Sequence, residues 1–235
     1  MKRILCLALL LFSFTSLSAQ IRFAPEFGYN SASVSGKING QSVDTKRVPG
    51  FKAGFFTEIP LMKALFLQAG LSYSRKGYRE TIDELATNGQ AQMKLTGDIK
   101  TKIGYAELPV NLVYKVYMGL EDTGSCFMFF AGPYVGRVLH GRTKGVIQAF
   151  QTNAGIGIMH TYNIDESTSA GNDPDFNNIR SWDVGLNIGV GYEFAFGLVV
   201  RGQYGLGLSN SFPGGSPSNS MRTSNMSLSL AYLIP

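Results

Sequence analysis

The chain has 235 residues, of which 16% are charged and 12% aromatic, and it carries 28 glycines. That charge content is well below the roughly 25% usual in soluble domains. The formal net charge of +5, with no basic run interleaved with aromatics, gives no support to a nucleic-acid partner.

Met1–Gln20 reads as an export signal. Lys2 and Arg3 give a positive start, Ile4–Phe14 is an apolar core too short to span a bilayer, and Ser16-Leu17-Ser18-Ala19 supplies small residues for cleavage after Ala19. The same shortness argues against a membrane anchor. Cys6 lies too early for a lipid-attachment box, and Cys126 alone remains after cleavage, so no internal disulfide can form. Removing Lys2 and Arg3 from the 21 basic residues leaves 19 against 16 acidic, a formal charge of +3. Beyond Gln20 no stretch approaches the ~18 unbroken apolar residues of a membrane helix. A soluble β-protein or a membrane β-barrel remains.

Period-two alternation then recurs along the chain. Strand one, Ile21–Ser33, sets Phe23, Phe27 and Tyr29 against Arg22, Glu26, Gly28 and Asn30. A polar stretch, Gly36–Arg47, leads to strand two, Val48–Ile59, where Phe51, Ala53, Phe55 and Ile59 oppose Lys52, Gly54, Phe56 and Glu58. Phe56 breaks the pattern, which a packed interior can absorb. A short link, Pro60–Lys63, precedes strand three, Ala64–Tyr78, with Leu67, Ala69, Leu71 and Tyr73 against Gln68, Gly70, Ser72, Ser74 and Lys76.

After a polar loop around Glu80–Gln92, strand four runs from about Lys94 to Tyr117. Its Ala106, Leu108, Val110, Leu112, Tyr114 and Val116 face away from Glu107, Pro109, Asn111 and Lys115. Met118–Gly124 is short. Strand five, Ser125–Lys144, is the least regular, and its best division puts Phe130, Tyr134 and Val138 opposite Ala131, Pro133 and Arg137. Gln151–Asn178 reads as the longest irregular stretch.

Strand six, Trp182–Phe194, alternates without exception: Trp182, Val184, Leu186, Ile188, Val190, Tyr192 and Phe194 against Asp183, Gly185, Asn187, Gly189, Gly191 and Glu193. Ala195–Gly197 links it to strand seven, Leu198–Ser209, and the Gly/Pro/Ser-rich Asn210–Ser220 precedes strand eight, Met221–Ile234.

Eight strands whose connections alternate long and short place every short turn at one end and every long loop at the other. That is the pattern of an eight-stranded antiparallel up-and-down transmembrane β-barrel, here spanning residues 20–235 after a signal peptide at 1–19. A soluble ligand-binding barrel also alternates, with its oily face inward. Its watery exterior would be rich in Lys, Glu, Asp and Thr, whereas the polar face here is mostly Gly, Ser, Asn and Ala.

Eight strands leave an interior just wide enough for side chains. Arg22, Glu26, Lys52, Glu58, Glu107, Lys115, Asp183, Glu193 and Arg201 are therefore expected inside as a structural charge network, four basic and five acidic. Aromatics fall at both strand ends. Phe23, Phe55, Tyr192, Phe194 and Tyr232 lie toward one rim, and Tyr29, Tyr73 and Trp182 toward the other.

No catalytic, cofactor or metal site is assigned. His140 and His160 lie near the long fifth loop, where Asp165 or Ser167 could serve a surface hydrolase, yet no G-x-S-x-G elbow is present. Asp165, Glu166, Asp173 and Asp175 do not match a calcium-loop spacing.

Several segments carry a family resemblance: Tyr105-Ala-Glu-Leu-Pro-Val-Asn-Leu-Val-Tyr-Lys-Val116, Gly132-Pro-Tyr-Val-Gly136, Asp183–Phe194 and Tyr204-Gly-Leu-Gly-Leu-Ser-Asn210. Through them the chain resembles the PorT-like outer-membrane β-barrel family of Bacteroidetes-type bacteria. The resemblance implies an integral outer-membrane barrel without defined catalytic residues, and a few members are linked to protein secretion. It also implies contact with outer-membrane lipid and with the barrel-assembly machinery during insertion. Such barrels usually end on an aromatic that this machinery reads. Here the chain ends Tyr232-Leu-Ile-Pro235, so Tyr232 would take that part.

The expectation is a non-enzymatic, narrow, plugged outer-membrane barrel whose surface loops meet a protein or ligand. The alternatives are a narrow channel or accessory of protein secretion or transport, and a soluble periplasmic barrel.

Overall fold

Every regular element in the described residues is a β-strand, as the period-two patterning requires. The structure, a computed structural model, describes residues 21–88, 91–118, 124–153, 156–171, 178–212, 215–216 and 218–234. The signal segment 1–19 and the acids Asp173 and Asp175 lie outside them.

The strands are β1 (Arg22–Ile38), β2 (Gln41–Asp44), β3 (Lys46–Pro60), β4 (Leu65–Asn88), β5 (Ala91–Tyr117), β6 (Cys126–Asn153), β7 (Ile156–Ala170), β8 (Asn178–Ile179), β9 (Trp182–Glu193), β10 (Leu198–Gly207) and β11 (Ser220–Tyr232). They pair in the order β5-β4-β3-β1-β11-β10-β9-β6-β7-β8, with β2 on β1. Because β5 also pairs with β6, the hydrogen bonding runs in a ring. All pairs are antiparallel except the two-residue β7–β8 contact.

The described residues therefore hold eleven strand segments where the sequence reading expects eight. The extra ones come from stretches expected to be polar loops. Gly36–Arg47 contains the end of β1, a tight turn, β2 and the start of β3. In that turn Asn39 and Gly40 both have positive φ, at 51° and 79°. This is the Asn-Gly hairpin geometry, which matches the twist of the flanking strands. Within Glu80–Gln92, residues 80–88 of β4 and 91–92 of β5 belong to a ladder that reaches Asn88↔Ala91. Much of Gln151–Asn178 is β7, laid against β6 from Gly141↔Thr168 to Asn153↔Ile156.

Around the ring the apolar and polar faces are reversed relative to a soluble protein. On β9, Val184, Leu186, Ile188 and Val190 are 42–62% exposed, while Asp183, Asn187 and Glu193 are only 2–6% exposed. Exposed Phe27, Tyr29, Leu71, Leu108, Leu112, Leu228 and Leu230 continue the oily surface over neighbouring strands. The soluble barrel with its oily face inward is thereby set aside.

The interior is filled by inward aromatic and aliphatic side chains, Phe56, Phe66, Val113, Met128, Phe130 and Val199 among them. On β6 the inward set is Phe130, Tyr134 and Val138, with Ala131, Pro133 and Arg137 outside.

This packing leaves room for nothing larger than hydrogen at Gly189. A Cβ there would lie 2.2 Å from Phe130 Cζ and 2.5 Å from the Gly202 carbonyl oxygen. Gly189→Ala is therefore expected to destabilise the chain by about 1–3 kcal/mol through overpacking. A thermal unfolding midpoint within error of wild type would contradict this account of the interior.

Candidate functional site

The buried charges stack in three groups along the inside of the ring. The lowest joins Arg22 on β1, Glu58 on β3, Lys115 on β5 and Glu193 on β9. Lys115 Nζ lies 2.6 Å from Glu58 Oε1 and also donates to Glu193 Oε2. Arg22 donates to Glu193 Oε1 at 2.6 Å and to Glu58. Gln68 adds a bond to Glu58 Oε2 at 2.9 Å, and the Cys126 Sγ sits 3.6 Å from Glu193 Oε2. Lys115 Nζ also lies 4.4 Å over the Phe66 ring.

The middle group joins Glu26 on β1, Lys52 on β3 and Arg201 on β10. Lys52 Nζ is 3.0 Å from Glu26 Oε2, Arg201 is 3.6 Å from Glu26 Oε1, and Ser229 donates to that oxygen at 2.6 Å. The Arg201 guanidinium lies between two rings, 4.7 Å from Phe56 and 4.3 Å from Phe130. The inward Phe56 thus stacks against a buried cation.

The upper group is Glu107 on β5 and Asp183 on β9, both held by Lys76 on β4 at 2.7 and 3.0 Å. The Tyr134 hydroxyl donates to Asp183 at 3.2 Å, and the Tyr134 and Tyr105 rings face Lys76 Nζ at 4.5 and 5.2 Å.

The nine charged residues singled out from the sequence are thus distributed over these three groups: four in the lowest, three in the middle, and Glu107 and Asp183 in the upper. Lys76 is the member that reasoning missed. Its strand parity matches Ser72 and Ser74, and the imbalance of four basic against five acidic residues was the signal for a fifth cation. With Lys76 the groups balance, five cations to five carboxylates.

What this arrangement can do chemically is limited by space. Beside Glu26, Lys52, Gln68, Asn111 and Arg201 the cavity measures about 10 Å³. A single water needs roughly 10–15 Å³. Each ion pair also satisfies charges that would be costly to bury alone.

The residues considered for catalysis are dispersed. His140 lies on the outside of β6, 3.0 Å from the Tyr73 hydroxyl. His160, on β7, pairs opposite Ala149, nine residues further along β6 from His140, a separation of about 30 Å along an extended strand. Asp165 is bound by Arg142 at 2.7 Å and approached by Lys144 at 3.4 Å.

Rings gather at both ends of the oily face. Phe23 stacks near Phe55 at 5.3 Å, and Tyr192 touches Phe127 and Phe194 at 5.1 and 4.8 Å. At the opposite end Phe51, Tyr73 and His140 form a chain at 5.3 and 6.0 Å, and Arg137 lies 5.6 Å from the Trp182 ring.

A family model described as outer membrane protein beta-barrel domain matches residues 14–213. No curated protein matches the chain. Among solved structures, Ail of Yersinia pestis, crystallised with the heparin analogue sucrose octasulfate, is 14% identical. That match covers 91% of this chain and 99% of Ail at a TM-score of 0.37. Neisserial surface protein A is 12% identical over 89% of this chain and 96% of its own, with a TM-score of 0.37. A major outer membrane protein from Thermus thermophilus is 14% identical over 88% of this chain and 99% of its own, with a TM-score of 0.34.

Proposed function

The chain belongs to the outer membrane protein beta-barrel domain family, and from that membership we propose that eight strands, β1, β3, β4, β5, β6, β9, β10 and β11, form a closed transmembrane wall around a plug of side chains. It is an integral outer-membrane protein with surface loops. The work is non-enzymatic: the barrel holds the upper ends of β4–β7, the β1–β2 hairpin and residues 208–212 at the cell surface, where they meet a protein or ligand. The three charge groups are structural, tying all eight wall strands together through the interior. We place signal cleavage after Ala19.

One observation carries this reading: an oily exterior encloses ten balanced charges. In water that arrangement would expose a very large apolar surface, and in lipid it is the expected one. The PorT-like assignment is supported by the Glu107-Leu-Pro and Gly191-Tyr-Glu-Phe segments, whose Glu107 and Glu193 belong to the charge groups. The cavity of about 10 Å³ supports a plug over a channel.

Two measurements test the reading. The protein folded in detergent should migrate differently on a gel with and without boiling, and a chain that stays soluble without detergent and shows no shift would overturn the barrel. In planar bilayers it should give no stable single-channel steps. Reproducible steps would favour the transport alternative and remove the plug.

A further inference from the structure

The oily outer face of β4, β5 and β6 ends at Tyr73 and His140. Directly beyond it, on the same face, the cross-strand register assembles cations. Arg75 stands opposite Gly104, which in turn faces His140. In the next row Gly77, Lys102, Arg142 and Ser167 lie side by side. In the row after that, Lys46, Arg79, Lys100, Lys144 and Asp165 are neighbours across five strands. Their inward-pointing neighbours Lys76, Thr101 and Ile103 are buried, which fixes the cations on the outer side.

This arrangement is unfavourable on its own. Like charges directly opposite each other destabilise a sheet, and Lys46↔Arg79, Lys102↔Arg142, Arg79↔Lys100 and Lys100↔Lys144 are four such pairs. Seven cations share the face with two carboxylates. Asp98 is taken by Arg79, and Asp165 by Arg142 and Lys144. Among the described residues no salt bridge reaches Arg75, Lys100 or Lys102, and the Arg75 Nε is buried without a hydrogen-bond partner.

We propose that this block is a binding site for the phosphate groups of anionic lipid headgroups in the outer leaflet. The inference depends on the membrane orientation proposed above. Position selects the occupant: the block continues the lipid-facing surface from its aromatic rim, and its rows stand about 7 Å apart along the strands, so it passes through the headgroup layer. Long basic side chains at such a height reach to the interface, and guanidinium groups bind phosphate through paired donors.

The test compares the full chain with Lys100→Gln/Lys102→Gln and with Lys37→Gln/Lys63→Gln, a charge-matched control outside the block. Each is reconstituted in phosphatidylcholine vesicles with a minor share of phosphatidic acid, extracted in mild detergent, and analysed for retained lipid. Wild type and control should retain phosphatidic acid preferentially. The block variant should lose that preference by about 25-fold, since it removes two cations and each cation near an anionic surface contributes about a fivefold effect. In phosphatidylcholine alone the block variant should unfold at a higher temperature than wild type, because its opposed like charges are gone.

Equal retention by all three proteins, or no preference in wild type, overturns the proposal. So does inorganic phosphate binding in neutral vesicles as tightly as the lipid, which assigns the site to the free ion. A short oligonucleotide bound in neutral vesicles and released by the same substitutions assigns it to a soluble polyanion instead. The gel shift with and without boiling is read on every sample. Its persistence shows an intact barrel, so a failed lipid site is distinguished from a failed membrane reading.

Discussion

Replacing Lys115 with methionine is expected to cost about 3–5 kcal/mol of unfolding free energy, the range for breaking a buried ion pair by removing one partner. Lys115 is 1% exposed, and its ammonium lies between Glu58 and Glu193. Methionine fills nearly the same stem volume, so the cavity contribution is small. What changes is charge: two buried carboxylates are left with half-buried Arg22 as their shared cation. The ring of Phe66, which faced the ammonium at 4.4 Å, then faces a thioether. The companion variant Lys115→Met/Glu193→Gln removes one of the stranded charges and should recover part of the loss. The two substitutions share partners and will not add. Urea titration of the gel-shifted band in detergent reads both. A midpoint for Lys115→Met close to wild type would mean that the lowest charge group does not hold β1, β3, β5 and β9 together.

The alternation that reveals the wall is legible because each wall strand must show lipid one face and side-chain packing the other. Trp182–Phe194 follows that demand residue by residue, and the structure exposes Val184, Leu186, Ile188 and Val190 while burying Asp183, Asn187 and Glu193. Above the rim the demand disappears. Residues 80–87 are polar on both faces because water meets both, so their polarity reads as loop although β4 continues through them. Its β-branched Thr81, Ile82 and Thr87 were the remaining strand signal. At Asn39-Gly40 the hairpin dipeptide stands inside a stretch whose overall polarity reads as loop. The interior follows a third rule, volume. Phe56, Phe66, Tyr105, Phe130 and Tyr134 occupy inward positions that strict alternation would give to small or polar residues. They fill the space between charge groups that lie on strands distant in sequence, and local periodicity carries no information about that space.

A charge placed on the oily face tests the membrane reading most directly. From Trp182 to Tyr192, ten steps at about 3.3 Å and a tilt of about 40° give a height of roughly 25 Å, the thickness of the apolar band of such barrels. Ile188 is close to the middle of that span and is 62% exposed. In lipid, Ile188→Arg should therefore cost about 2–4 kcal/mol, whereas Val184→Arg and Tyr192→Arg, nearer the rims, should cost about 0–1. On a water-facing strand all three would fall within about 0.5 kcal/mol of zero, because an exposed arginine is well solvated wherever it stands. The discriminating quantity is thus the dependence of cost on depth, obtained from reversible unfolding of the three variants in vesicles. A peak at Ile188 follows only if the bilayer midplane crosses β9 there. A flat profile would place the strand in water and remove the physical basis for an oily face turned outward around ten inward charges.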